Sequence, residues 1–298
     1  MAKITLISLP YDSGRWNERM GRGATDLIES GLAEHLRSQQ HDVEVHTVRL
    51  SEKLHSEGQA LVALQNLAVP IVREALAGGR RVLILSGNCG PAALSAVSAL
   101  NPGTTGAAWF DAHADFNTPE TSASGFLDGM SLAILTGRCW PALAARFADF
   151  LPVPDANIVL VAARDLDLPE ATALSQSVIT TVAPRKMEAF GRAVEALSER
   201  VENIYVHLDV DVLDDSEGHA NSYASGGGLS AQALYSALET LERTGRIRVG
   251  SITSYEPACD HRGSIRAIIQ NAATILAGGG LPSPRSLTKI MGGRNSTP

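Results

Sequence analysis

Two short acidic runs carry most of the chemistry available to this sequence. Asp111-Ala112-His113-Ala114-Asp115 follows the apolar run Gly106 to Phe110, and Asp209-Val210-Asp211 follows Ile204 to Leu208. Side chains two apart on an extended segment point the same way. Asp111, His113 and Asp115 can therefore converge, and so can Asp209 with Asp211. Four carboxylates gathered at one point cannot all stay ionised without a cation. A pair of divalent metal ions removes the repulsion, since carboxylates can bridge ions about 3.5–4 Å apart. Oxygen donors with one imidazole suit Mn²⁺ better than zinc. A lone Asp after a strand more often caps a turn, but two clusters ending two apolar runs favour a metal site. A third run, Arg81 to Ser86, leads into Gly87-Asn88-Cys89-Gly90. Cys89 is read either as a further ligand or as a small buried packing residue, and the neighbouring clusters favour the ligand.

These residues must be positioned by a sheet. Lys3 to Leu9, Arg81 to Ser86, Gly106 to Phe110, Ile158 to Ala162, Ile204 to Leu208 and Val249 to Thr253 are almost continuously apolar. That pattern fits parallel strands covered on both faces. Between them, Leu61 to Ala77, Pro91 to Leu100, Met187 to Val201, Ser230 to Arg243 and His261 to Leu276 repeat apolar residues at helical spacing. The alternation predicts a three-layer α/β/α fold with a mainly parallel sheet, whose ligands sit outside the strand carboxyl ends. No linker or internal repeat divides the chain, so residues 1–277 are expected to form a single domain. Asn117 to Gly129 and Asp214 to Gly228 read as loops, and residues 278–298 as a flexible tail.

Composition narrows the classes. Over 298 residues the formal net charge is -7, which argues against general nucleic-acid binding. No apolar run reaches the roughly 18–20 residues of a membrane span, and MAKITLISLPYDSG lacks the parts of a signal peptide. Three scattered cysteines, Cys89, Cys139 and Cys259, make no disulfide framework. A reducing, cytoplasmic setting follows as the expectation.

Together these segments resemble the ureohydrolase family, which includes arginase, agmatinase and formimidoylglutamase. The resemblance runs through Pro10-Tyr11-Asp12-Ser13-Gly14, Gly21-Arg22-Gly23, Asp111 to Gly125 (DAHADFNTPETSASG), His207 to Asp214 (HLDVDVLD) and Gly227-Gly228-Leu229-Ser230. It implies two Mn²⁺ ions and a bridging hydroxide that attacks a guanidinium or similar carbon. It also implies Asp111 and Asp209 as bridging carboxylates, His113 and Asp211 on one ion, and Asp115 on the other. Asp115 matches the carboxylate that carries a proton to the leaving amine. Homo-oligomers are common in such a family.

The departures bear on the substrate. Cys89 stands where a histidine ligand is usual, and its softer sulfur admits Fe²⁺ or Zn²⁺ as alternatives. In the loop Ser124-Gly125-Phe126-Leu127-Asp128, Phe126 replaces an asparagine that holds the amino-acid end of arginine, and Asp128 replaces a proton-relaying histidine. Ser254 occupies the position of the carboxylate that pairs with the guanidinium, leaving Glu256, two residues on, as a substitute or as a solvated strand end. Asp128 and Glu256 thus join Asp115 as catalytic candidates, with Ser124, Phe126 and Ser254 at the substrate. The pattern is closest to the branch that hydrolyses Nω-hydroxy-L-arginine. Arginase-, agmatinase- and formimidoylglutamase-type activities stay open, as does a metal-binding member without catalysis. His207 reads as structural, His219 as a solvated loop residue, and Trp109 and Trp140 as packing. Arg164 with Asp165 is either a rim ion pair or a substrate contact.

Overall fold

The computed structural model describes residues 1–280. Its strands are β1 (Lys3–Leu9), β2 (Tyr11–Asp12), β3 (Arg15–Trp16), β4 (Asp42–Thr47), β5 (Arg81–Ser86), β6 (Thr105–Phe110), β7 (Ile158–Val161), β8 (Thr180–Val182), β9 (Asn203–Asp209) and β10 (Ile247–Thr253). Its helices are α1 (Gly21–Glu29), α2 (Leu32–Ser38), α3 (Glu57–Ala77), α4 (Cys89–Ala99), α5 (Ser131–Leu135), α6 (Pro141–Ala144), α7 (Leu168–Ser175), α8 (Phe190–Arg200), α9 (Ala231–Glu242) and α10 (Ser264–Leu276). Eight strands form one sheet in the order β4-β1-β5-β10-β9-β6-β7-β8, with every neighbouring pair parallel. β2 and β3 make a separate antiparallel pair.

Strand alternation sends side chains into two cores. Ile4 and Leu6 of β1 enter one with Leu83, Leu85, Ala108, Phe110, Val206 and Leu208, covered by α1, α2, α8, α9 and α10. Ile7 and Leu9 enter the other with Val82, Ile84, Trp109 and Tyr205, beneath α3, α4 and α5. Central strands buried on both faces must be apolar throughout, which is why they were legible. The edge strands β4 and β8 were missed. β4 has the alternating sequence Asp42-Val43-Glu44-Val45-His46-Thr47 and is largely exposed. β8 is only three residues long. α3 is 21 residues long and, among the described residues, is the one helix apolar enough to cross a membrane. Here it packs against α4, β1 and β5.

Register sets the height of each strand tip. Thr253 pairs with both Ser86 and Asp209, and Phe110 pairs with Leu208. The carboxyl ends of β5, β10, β9 and β6 therefore stand side by side at one level. The Gly21-Arg22-Gly23 motif supports this edge, because a Cβ on Gly23 would collide with the Tyr255 backbone just beyond β10.

Candidate active site

β6 ends at Phe110, so Asp111 to Asp115 lie beyond the strand. Their convergence comes from a loop rather than from continued strand geometry, with Asp115 at φ 51°. That left-handed backbone is tolerated by Asp and is a form of strain often found at functional sites. Val210–Val212 after β9 is a single 3₁₀ turn. In each run the first carboxylate fixes the residue two positions on: Asp111 Oδ1 accepts from His113 N at 2.7 Å, and Asp209 Oδ1 accepts from Asp211 N at 2.9 Å. Asp211 Oδ1 accepts from Ala112 N at 3.2 Å, which ties the two tips together. His113 Nδ1 lies 3.3 Å from Asp111 Oδ1 and 3.5 Å from Asp211 Oδ2. All five predicted Asp and His ligands are thus gathered, and the four aspartates are buried.

Cys89, the first residue of α4, joins them from the β5 side. Its thiol donates to Asp209 Oδ2 at 3.2 Å, and Ser254, at φ 63° beyond β10, donates to the same oxygen. Cys89, Asp115, Asp209, Asp211, His113 and Ser254 all line one cleft of about 290 Å³. Ser124 and Phe126 line it too, with the Phe126 ring 6.2 Å from Tyr223.

The electrostatics are those of a site built around cations. Burial, then the neighbouring Asp111, Asp128 and Asp209 charges, push Asp115 well above the ordinary carboxyl range. Burial and the Asp211 and Asp111 charges do the same to Asp209, and burial with Asp111 raises Asp211 to about 6. Burial opposes charge on His113, but the Asp111 hydrogen bond and the charges of Asp211 and Asp111 outweigh it and raise the ring to about 9. Cys89 is pushed up by burial and by Asp128, Asp209, Asp115 and Asp111. Asp115 Oδ2 is buried with no hydrogen-bond partner. An orphaned carboxylate oxygen, three further buried aspartates and an imidazole fit divalent metal ions. Asp111, His113 and Asp211 place one donor atom each within 4.8 Å of one another.

Two candidates take other positions. Asp128 lines the cleft, but its oxygens accept from Asn88 Nδ2 at 2.8 Å, Cys89 N at 2.8 Å, Gly90 N at 3.2 Å and Ser131 Oγ at 3.1 Å. It satisfies the otherwise unpartnered N–H groups of α4. These contacts make it the residue that aims Cys89 from the start of α4. Glu256 is absent from the cleft. Its backbone bonds Ala220 O at 2.8 Å and its carboxylate faces Arg19 and Cys259, because the turn at Ser254 breaks the two-residue strand alternation assumed for it.

Several contributors escaped the sequence. Trp109 Nε1 donates to Asp111 Oδ2 at 3.1 Å. Asn221 donates to Ser254 O at 2.8 Å and to Asp211 Oδ2 at 3.4 Å. Asn88 Oδ1 accepts from Ser13 N at 2.6 Å, which gives the Pro10 to Gly14 motif its place beside the site. Asn88 stands in the Gly87-Asn88-Cys89-Gly90 run and Trp109 reads as packing, whereas nothing local marks Asn221. Arg164 makes no ion pair among the described residues. Its guanidinium donates to the Asp211, Val212, Leu213, Ser225 and Gly226 carbonyls, fastening the Asp214 to Gly228 loop to the β9 tip. His207 is fully buried under the site with its ring lowered to about 3 by burial, and is therefore neutral.

The arginase family model matches residues 2–278. The chain belongs to the arginase family. Among curated relatives, the arginase of Bacillus caldovelox is 28% identical over 90% of this chain and 95% of its own length. The arginase of Staphylococcus aureus strain COL is 30% identical over 86% and 91%. The solved Bacillus caldovelox arginase covers 95% of this chain and all of its own, with a TM-score of 0.85 at 24% identity. An agmatine ureohydrolase of Thermoplasma volcanium shares the fold at a TM-score of 0.70 and 14% identity, over 93% and 89%. This arginase-family hydrolase thus has the predicted three-layer fold.

Proposed function

We propose that this arginase-family hydrolase cleaves a guanidine C–N bond in an arginine-derived substrate, with Nω-hydroxy-L-arginine preferred over L-arginine. The observation that carries this is at the β10 tip. Ser254 faces the cleft there with a hydroxyl bonded to Asp209, and Glu256 is turned away. A guanidinium cation would find no free carboxylate at this position, whereas a less basic hydroxyguanidine needs none. The opposite wall supports an amino-acid substrate. Asn117, Ser122 and Ser124 supply donors for a carboxylate, and Asp167, 3.2 Å from Asn117 Nδ2, suits an ammonium group.

Asp111, Asp209, Asp211, His113, Asp115 and Cys89 would hold two ions, with Mn²⁺ favoured by the oxygen donors and Fe²⁺ or Zn²⁺ admitted by the sulfur. Such ions supply a lowered pKa for water and neutralise negative charge as it develops on the substrate. Asp115 would hold an ion through one carboxylate oxygen and use the other to accept a proton from the attacking water and return it to the leaving nitrogen. Phe126 and Tyr223 wall the cleft and limit water.

The test is product analysis with Mn²⁺-loaded protein and a panel of L-arginine, agmatine, formimidoylglutamate and Nω-hydroxy-L-arginine. Hydroxyurea should form from the last with the highest kcat/KM. Faster urea release from L-arginine would overturn the preference. Bound metal with no turnover on any compound would favour a non-catalytic member.

A further inference from the structure

His207 is an imidazole at the floor of the site that the proposed reaction does not use. It precedes Asp209 by two residues on β9 and stacks on Trp109 with ring centroids 3.7 Å apart. Its Nδ1 lies 2.9 Å from the Tyr205 hydroxyl and 3.0 Å from Ser251 Oγ, which are 2.6 Å from each other. Its Nε2 lies 3.4 Å from Thr253 Oγ1, and Thr253 Oγ1 lies 3.4 Å from Cys89 Sγ.

Counting hydrogens decides the tautomer. Each hydroxyl brings one hydrogen. If Nδ1 accepts, one hydroxyl donates to it and the second donates to the first, and both hydrogens are used. If Nδ1 carried the proton, three hydrogens would meet inside the trio and one hydroxyl would have no acceptor there. Nδ1 therefore accepts, and the neutral ring carries its proton on Nε2. This removes His207 as a metal ligand in that tautomer, although its ring nitrogen, Cys89 Sγ and an Asp111 oxygen lie within 4.8 Å of one another. Nε2 donates instead to Thr253 Oγ1. The Thr253 hydrogen then has two acceptors, Leu208 O at 3.4 Å and Cys89 Sγ. When Cys89 is a thiol it donates to Asp209, and the Thr253 hydrogen goes to Leu208 O. When the sulfur is a thiolate, the charge-assisted bond to sulfur is the stronger one.

We propose that His207 is a positioning residue which, through the Thr253 hydroxyl, orients the Cys89 sulfur and withdraws charge from it when that sulfur binds a metal. This rests on the reading of Cys89 as a ligand. It gives a cysteine in this arginase-family site a supporting hydrogen-bond chain, as outer partners do for metal-bound imidazoles.

The experiment strips the full-length protein of metal, reloads it with Co²⁺ alone, and records the thiolate-to-Co²⁺ charge-transfer band together with Co²⁺ affinity. The band should appear in the wild type and vanish in Cys89→Ser. Thr253→Val, which matches the side-chain shape but lacks the hydroxyl, should move the band to longer wavelength and weaken Co²⁺ binding about tenfold. Thr253→Ser should restore both. His207→Phe, which keeps a ring on Trp109, should reproduce the Thr253→Val shift, and combining the two should add nothing further. The Thr253 pair carries the test if His207→Phe fails to fold. An unmoved band and unchanged affinity in Thr253→Val would overturn the chain. A wild-type spectrum with no such band would remove Cys89 from the metal shell, and the chain with it. The number of Co²⁺ ions held per protein then judges the acidic cluster separately.

Discussion

The β6 and β9 tips and the β5 and β10 tips are two halves of one rim, level with each other yet built by different means. In the acidic half, each cluster is locked by bonds between residues two apart, as Asp111 holds His113 N and Asp209 holds Asp211 N. In the other half, Cys89 is aimed by Asp128, 39 residues away, and Ser254 is set by Asp209, 45 residues away. Local construction leaves a mark in the sequence, and long-range construction does not. A site can thus be half transparent to its sequence even when both of its halves are buried.

The largest effect should come from breaking the acidic half. Replacing His113 with Ala and Asp209 with Asn together should lower metal affinity by more than the roughly 10–100-fold typical of outer partners, and abolish turnover. Metal content per chain checks it, and unchanged uptake would refute the ligand set.

The second prediction concerns the metal-free protein and pH. Asp211 is raised to about 6, and Asp128 to about 7, mainly by burial. A carboxyl raised on folding binds its proton more tightly in the native state, so its stabilisation is greatest near pH 4 and is lost as pH rises through 6 and 7. His113, raised to about 9, works in the same sense: its contribution is complete below the unfolded value near 6.5 and is lost through 9. Metal-free protein should therefore be more stable at pH 5 than at pH 7, by at least about 2 kcal/mol. Denaturant melts read this directly, and an increase in stability toward pH 7 would contradict it. Metal loading should shrink the difference.

A smaller change is expected in the non-acidic half. Asp128→Ala removes an acceptor of α4 N–H groups and should cost about 1–2 kcal/mol of stability. It should also loosen metal binding at Cys89 while leaving the proton step intact. A variant that keeps full metal affinity but loses kcat alone would restore Asp128 to the relay role.

The least change should follow from Glu256→Gln. Outside the cleft, its effect on stability should stay within about 0.5 kcal/mol, with kcat/KM hardly altered. A large loss of kcat/KM would bring Glu256 back to the substrate.

The fold was read well where burial left no choice. The six central apolar runs became β1, β5, β6, β7, β9 and β10; β1 and β5 keep the predicted bounds, and the other four shift by a residue or two. β4 and β8 were missed because an edge strand that faces solvent has a mixed sequence. At the site, Glu256 failed for a specific reason. Two-residue alternation was carried past the strand end, where Ser254 takes a left-handed backbone that redirects the next side chains. The helix-end contacts of Asp128 were not legible, because sequence spacing cannot reveal that a carboxylate accepts from N–H groups 38 and 39 residues away. Residues 281–298, most of the tail expected to be flexible, lie outside the described residues.

The strand order has a kinetic consequence. β10, last of the described strands in the chain, sits between β5 and β9 and is the link between a three-strand block (β4-β1-β5) and a four-strand block (β9-β6-β7-β8). Until the final strand is made and inserted, both blocks present a bare, apolar interior edge of the kind that recruits other chains. Assembly of the catalytic rim and closure of the sheet are therefore a single late event, and a nascent chain stalled before Ile247 would be an aggregation hazard as well as an inactive enzyme.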